Sequence, residues 1–444
     1  MLGVYVRRFM RDRRGSSAMM FGLSLIPIFF LTGMAMDFTS AAQKRTRLNA
    51  AADAAALAAV TPAMMIQSNS NALAAATNMF NATAANIGAA VVNPPTITMS
   101  NAGLVRTVTV SYTATSTNMF PNLFALITKT PESTWPLSGS ATATSYSAPN
   151  INFYLLLDNS PSMDIAATTA GINTMVANTS SQGGCAFACH ESNPAADNLG
   201  NPNGEDNYTL ANNLGVTTRV QNMATATSAL MVTAGDTEVA NNATYKMAIY
   251  TFNYNGLSTI YAPSNAPSSN LTAAGTAAAA VDVLEVYSNN WLTKTNQNND
   301  TDTNFETAMT AVNNLMPNPG TGSANSTPQE VLFIVSDGVD DEVNSSSCSQ
   351  PLTGTRCQQP FNTAMCTTVK GRGIMIAVLY TQYLPLPTNS WYNTWIAPFE
   401  SNIASNIQSC ASPGLYFEIT TDGDITAAME TLFQLAIATA RLSM

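Results

Sequence analysis

The stretch Ile151 to Ser162, INFYLLLDNSPS, decides how the rest of the chain is read. Phe153, Tyr154 and the three leucines Leu155, Leu156 and Leu157 form a short continuous apolar run, the pattern of a strand buried on both faces of a sheet. The run stops at Asp158, and Asp158, Ser160 and Ser162 then alternate along the loop. Alternate residues of an extended turn can point the same way. One carboxylate and two hydroxyls at the end of a buried strand make a hard-oxygen site for a divalent cation. The other reading of Asp-Asn-Ser-Pro-Ser is a polar turn, since all five are turn residues.

Context further along the chain favours the cation site. Val331 to Asp337, VLFIVSD, is a second apolar strand that ends in an aspartate, followed by Gly338. Between the two strands, Asp300-Thr301-Asp302-Thr303-Asn304 precedes a helical pattern from Phe305 to Leu315. Three loops at one sheet edge then supply Asp, Ser, Ser, Thr and Asp. Ligand sites in open α/β sheets lie at this carboxyl edge.

The order DxSxS, a loop threonine before a helix, then a strand ending in Asp-Gly resembles the metal-ion-dependent adhesion site of von Willebrand factor A domains. The resemblance assigns Asp158, Ser160, Ser162, Thr303 and Asp337 as metal ligands, with Thr301 two residues from the threonine position. It implies an α/β fold with a doubly wound, mostly parallel sheet. It also implies a divalent cation, Mg²⁺ first with Mn²⁺ or Ca²⁺ as alternatives, that binds a carboxylate offered by a protein partner.

Strand and helix patterns alternate from 150 to 444. Lys246–Phe252, Ile374–Tyr380 and Leu415–Ile419 read as further strands, with helical patterns near 214–234, 272–289, 303–315, 392–408 and 424–441. Such alternation predicts parallel strands covered on both faces. In the last helix Met429, Leu432, Phe433, Leu435, Ala436 and Ile437 form a core-facing stripe. Residues 178–215, rich in Gly, Asn and Pro, read as an insertion beside the metal loop that serves as a lid or recognition surface. Asp340, Asp341 and Glu342 read as a solvated acidic turn, with a second cation site as the alternative.

Only 10% of the 444 residues are charged, and the net charge is −10. Eight of the 17 basic residues lie in the first 50 positions, leaving nine basic against 25 acidic residues, a balance of −16. Such a body repels nucleic acid. Residues 18–36 are uncharged and mostly apolar, long enough to span a bilayer, and follow a basic segment, 1–17, holding Arg7, Arg8, Arg11, Arg13 and Arg14. That bias predicts a cytoplasmic amino end and a translocated body. A cleaved signal peptide has similar regions, but the alanine-rich sequence of 37–60 predicts a helix running on as a stalk.

The combination of Arg-Arg-Gly before the span, Asp37 after it and Asn-Ala-Ala-Ala-Asp-Ala-Ala-Ala-Leu-Ala at 49–58 resembles the amino-terminal segment of TadE/TadG-like proteins of the Flp (Tad) pilus machinery. The resemblance implies a pilus assembly or accessory protein held in the bacterial inner membrane. Its bulk is then expected in the periplasm, with the cell surface as the alternative, and its partners are pilus or envelope components. Pilin-like relatives are cut after a Gly that has a Glu five residues on; here Met20 stands at that distance from Gly15, so a full-length anchored chain is expected. Residues 61–148, with strand alternation at 95–115 and 137–146, read as a small α+β module without catalytic residue types.

All six cysteines lie beyond residue 180. An even count outside the cytoplasm predicts disulfides. The local pairings are Cys185–Cys189 and Cys348–Cys357, leaving Cys366–Cys410 to tie two helices. Three residues separate Cys185 from Cys189, one too many for c-type haem attachment, and zinc wants four ligands where His190 is the sole histidine. No Ser-His-Asp set is read around the lone His190. The expected role is therefore metal-dependent binding rather than catalysis. A metal-dependent hydrolase and a purely structural envelope protein are the alternatives.

Overall fold

The structure is a computed structural model that describes residues 15–88, 90–91, 94–121, 129–130, 133–289, 291–295, 301–343, 347–383, 385–387, 389–420 and 422–442. The basic segment before residue 15 and Asp300 lie outside them. The chain divides into two compact units, Met1–Ser147 and Ala148–Met444.

The first unit is built on one helix, α1 (Gly15–Ala58). Its first half is apolar and exposed, whereas Leu48, Ala51, Ala52, Ala55 and Ala56 of its second half are buried. Alanine at these positions lets the helix approach its neighbours closely while keeping the highest helix propensity. Two further helices follow, α2 (Pro62–Met65) and α3 (Asn69–Ala84). The antiparallel sheet comprises β1 (Ala90–Val91), β2 (Thr96–Ala102), β3 (Val105–Thr117) and β4 (Thr134–Tyr146). β1 and β2 flank one edge of β3, and β4 the other. Val108, Val110, Tyr112 and Ala114 alternate along β3 into the core against α1 and Phe80 of α3, the period-two pattern of a half-buried strand.

The second unit opens with β5 (Ile151–Asp158), fully buried along its length. There follow α4 (Thr169–Asn178), α5 (Asn207–Asn213), α6 (Arg219–Asn241), β6 (Tyr245–Asn253), β7 (Gly256–Tyr261), α7 (Leu271–Ala278), α8 (Phe305–Leu315), β8 (Gln329–Ser336), β9 (Val339–Val343) and β10 (Arg356–Pro360). The unit closes with α9 (Ala364–Gly371), β11 (Met375–Thr381), α10 (Ser390–Trp395), α11 (Glu400–Cys410), β12 (Tyr416–Ile419) and α12 (Ile425–Leu442). The six-stranded mixed sheet has the order β12-β11-β8-β5-β6-β7, parallel except for the β6–β7 pair. Helices cover both faces. Phe153, Leu155 and Leu157 share a core with residues of α6, α7 and α12. Tyr154 and Leu156 face the opposite core with α8, α9 and α11. The apolar run of β5 therefore has no polar face.

Four sequence expectations need correction. The helix expected over 272–289 ends at Ala278, and beyond it Val286 forms a bridge with Glu191. The helix expected over 392–408 is two helices, separated by a turn containing Pro398, whose ring cannot continue a helix. Leu435 is 40% exposed rather than part of the buried stripe of α12. The acidic run 339–343 is not a solvated turn. It forms β9, paired antiparallel with β10, and Asp340 and Asp341 are buried.

Candidate functional site

The strand order reverses between β5 and β8. From β5 the chain moves outward to β6 and β7, then returns to β8 on the other side of β5 and moves outward to β11 and β12. At such a point the loops leaving two neighbouring parallel strands diverge and open a crevice at their carboxyl ends. Asp158 ends β5 and Asp337 directly follows β8.

Asp158 is buried, and its Oδ1 accepts the backbone N–H of Ser160 at 3.0 Å and the Ser160 hydroxyl at 2.6 Å. Ser160 Oγ lies 3.1 Å from Ser162 Oγ. Asn159, between them in sequence, bonds elsewhere: its side chain donates to Asp282 O at 3.0 Å and accepts from Asn253 at 3.1 Å. The alternation expected of the loop is thus present, with Pro161 opening a short 3₁₀ turn over Pro161–Met163. Asp337 Oδ1 accepts Val339 N–H at 3.2 Å, while its Oδ2 is buried without a hydrogen-bond partner. A buried polar atom left without a partner is costly. Gly338 makes the turn after Asp337 with φ of 79°. A Cβ there would meet Ile403 at 2.7 Å, so only glycine lets the chain turn so close to α11.

Burial pushes the Asp158 carboxyl up to about 7, with the like charge of Asp337 adding to it and the Ser160 and Ser336 hydroxyls opposing it. Burial raises Asp337 too, opposed by the nearby Ser162 hydroxyl and by the charge of Arg219. Arg219 is buried, and its Nη2 donates to Gln382 O at 2.6 Å.

Asp158, Ser160, Ser162 and Asp337 are therefore linked by contact or charge. Thr303 is buried, its backbone is bonded to Asp341 at 2.9 and 3.0 Å, and it lines a cavity of about 360 Å³ together with Ser162. Among the described residues no group of three or more His, Cys, Asp and Glu side chains could hold a metal. The donor set here is two carboxylates with hydroxyls, and the partnerless Asp337 Oδ2 is what a cation would complete.

The insertion forms one wall of the same cavity through Cys185, Phe187, Cys189, His190 and Glu191. The expected Cys185–Cys189 disulfide is absent: both thiols are free. Hydrogen bonds order the loop instead. Asp206 accepts from His190 Nδ1 at 2.9 Å, Glu191 N–H at 2.8 Å and Thr209 N–H at 2.7 Å. Burial alone would raise this carboxyl, but these donors bring it down to about 2. Disulfides do form between Cys348 and Cys357 and between Cys366 and Cys410, the latter joining α9 to α11.

Sequence reasoning missed Ser336, whose hydroxyl donates to Asp158 Oδ2 at 2.5 Å. Its signal was present, since it is the only hydroxyl in VLFIVSD. It also missed Arg356, which pairs with Asp341 and lies 5.5 Å from the Trp391 ring centroid on the cavity wall. Nothing in the local sequence marks that pairing.

No curated protein matches the chain. Residues 15–65 match the family described as putative Flp pilus-assembly TadE/G-like. This segment comprises α1, whose apolar half is long enough to cross a membrane, and α2. The match supports a role in pilus assembly and points to a membrane-anchored protein.

Proposed function

We propose that the protein is a pilus-assembly component of the Tad system whose second unit is a von Willebrand factor A-like domain. It binds a protein partner through a divalent cation held by Asp158, Ser160, Ser162, Thr303 and Asp337. α1 anchors it in the inner membrane with the amino end cytoplasmic. The observation that carries this reading is the buried, partnerless Asp337 Oδ2 beside the Asp158–Ser160–Ser162 string, at the point where the strand order reverses. Hydroxyls and two carboxylates are hard donors suited to Mg²⁺, with Mn²⁺ or Ca²⁺ as alternatives. A cation so held supplies an electrophilic position for a partner's Asp or Glu carboxylate. Asp158 and Asp337 supply the negative charge, Ser336 orients Asp158, and the Asn159 contacts keep the loop turned toward the crevice.

Binding rather than catalysis is favoured because the sole histidine is tied to Asp206 and the two carboxylates are committed to the cation. The test is calorimetry of Mg²⁺ and Mn²⁺ with the full chain in detergent, alongside Asp158→Ala, and pilus assembly in cells carrying that variant. Cation binding and assembly that both disappear in the variant support the reading. Normal assembly by the variant overturns it. Turnover of generic esters or phosphates, abolished by Asp337→Ala, favours a hydrolase instead.

A further inference from the structure

The first charged residue after the apolar half of α1 is Asp37, and it is 2% exposed. Its carboxylate accepts the backbone N–H groups of Met119 at 2.7 Å and Phe120 at 3.1 Å, just beyond the end of β3. β3 runs antiparallel to α1. Lys44 Nζ donates to Ser116 Oγ, Asn49 Oδ1 accepts from the Tyr112 hydroxyl, and the carbonyl of Met64 accepts from Arg106. The end of the β3–β4 pair at Thr117 and Thr134 is therefore level with the end of the apolar segment, and the end at Val105 and Tyr146 is farthest from it.

Large apolar side chains are exposed at this near end. Phe38 is 60% exposed, Met119 68% and Phe120 40%. Phe38 stands edge-on to Trp135, the second residue of β4, with ring centroids 6.1 Å apart. α1 supplies the hydrogen-bond acceptor for the backbone of Met119 and Phe120. Irregular backbone enters a water-poor layer only when its N–H groups are satisfied within the protein, and Asp37 satisfies those of Met119 and Phe120. Above it, Arg45 and Arg47 are exposed. They rise about 12 and 15 Å along the helix from Asp37, within reach of lipid phosphates for long side chains that extend toward the headgroups.

We propose that Phe38, Met119, Phe120 and Trp135 form a collar embedded at the headgroup–acyl boundary of the bilayer that α1 crosses, with Asp37 as the clip that holds the loop in place. The occupant of this surface is lipid, because the patch continues the apolar half of α1 without a break and consists of the aromatic and apolar residues that membrane interfaces favour. The proposal rests on the reading that α1 spans the membrane.

The test uses the full chain in liposomes containing phospholipids brominated either near the headgroup or near the chain end. Trp135 emission is taken as the difference between the wild type and Trp135→Phe, and a Phe29→Trp variant reports the interior of the apolar half of α1. The expected result is that the Trp135 component is roughly halved by the shallow bromines and little affected by the deep ones, while Phe29→Trp responds to the deep ones. Quenching of Phe29→Trp with none of Trp135 overturns the collar and leaves the anchor standing. No quenching of either overturns both. A Met119→Asp, Phe120→Asp double variant is expected to lose the shallow quenching while its circular dichroism melt is unchanged. If that variant instead retains the quenching, or if pilus assembly fails where Trp135 was never quenched, the surface serves a protein and the proposal is wrong.

Discussion

Two sets of buried carboxylates in the second unit are treated in opposite ways. Asp341, on β9, is held by Arg356 through Nε at 2.7 Å to Oδ1 and Nη2 at 2.5 Å to Oδ2. Asp158 and Asp337, at the ends of β5 and β8, face no bonded cation. Arg219 acts on Asp337 through its charge while bonding a backbone carbonyl. Burial raises all three carboxyls, but only at Asp341 does a paired guanidinium oppose it. Burying an unpaired carboxylate costs several kcal/mol. A paired guanidinium at one position and none at the other is the contrast on which the proposed cation site rests.

The largest expected effect breaks the paired side. Arg356→Met leaves Asp341 buried and unpaired, which should cost about 3–5 kcal/mol in urea denaturation. Adding Asp341→Leu should restore most of the loss. If Arg356→Met alone is neutral, the contrast between the two sites is not energetic. Next, Asp337→Asn should abolish stabilisation by Mg²⁺, about 2.7 kcal/mol at a hundredfold excess over the dissociation constant, and should leave the metal-free protein at least as stable at neutral pH. A thermal melt with and without Mg²⁺ reads both.

The pH dependence sharpens the same contrast. Asp158 has its carboxyl raised from 3.8 to about 7, so the metal-free fold holds this proton more tightly than the unfolded chain does. That contribution to stability is full below pH 3.8 and is lost as pH rises through 7. Cation affinity should run the other way. It should fall about tenfold, or about 1.4 kcal/mol, for each pH unit below 7, measured by calorimetry between acidic and neutral buffers. Affinity independent of pH in that window would place the cation elsewhere. The smallest effect belongs to Ser336→Ala. Removing the hydroxyl that donates to Asp158 should cost about 1 kcal/mol and move the pH midpoint of cation binding upward.

The parts of this molecule that could be read from the sequence are those where one physical demand fixes the residue types. β5 and β8 are buried on both faces, so their apolar runs marked them, and the aspartates that end them marked the sheet edge. The antiparallel β7 escaped notice because Gly256–Tyr261 is a short edge strand with half-buried residues. The acidic run of β9 was read as a turn because its neutralising partner, Arg356, lies on another strand and only the fold brings the two together. Likewise, the spacing of Cys185 and Cys189 suggested a local bridge, whereas the loop is pinned by the carboxylate of Asp206. The TadE/TadG-like resemblance was legible because the apolar span, Asp37 and the alanine run follow one another without interruption, and they share one continuous helix.

That helix has a mechanical consequence. α1 contains 44 residues and is about 66 Å long at 1.5 Å per residue. Its second half forms part of the core of the first unit, so the unit has no swivel on its anchor. A span tilted by about 20° from the bilayer normal would swing Ala58 sideways by about 11 Å relative to Asp37, given the rise per residue. Pro27, which lacks an amide donor and lies within the apolar half, is the point of lowest bending stiffness. Load applied to the first unit is therefore converted to torque within the bilayer, with Pro27 as the compliant joint.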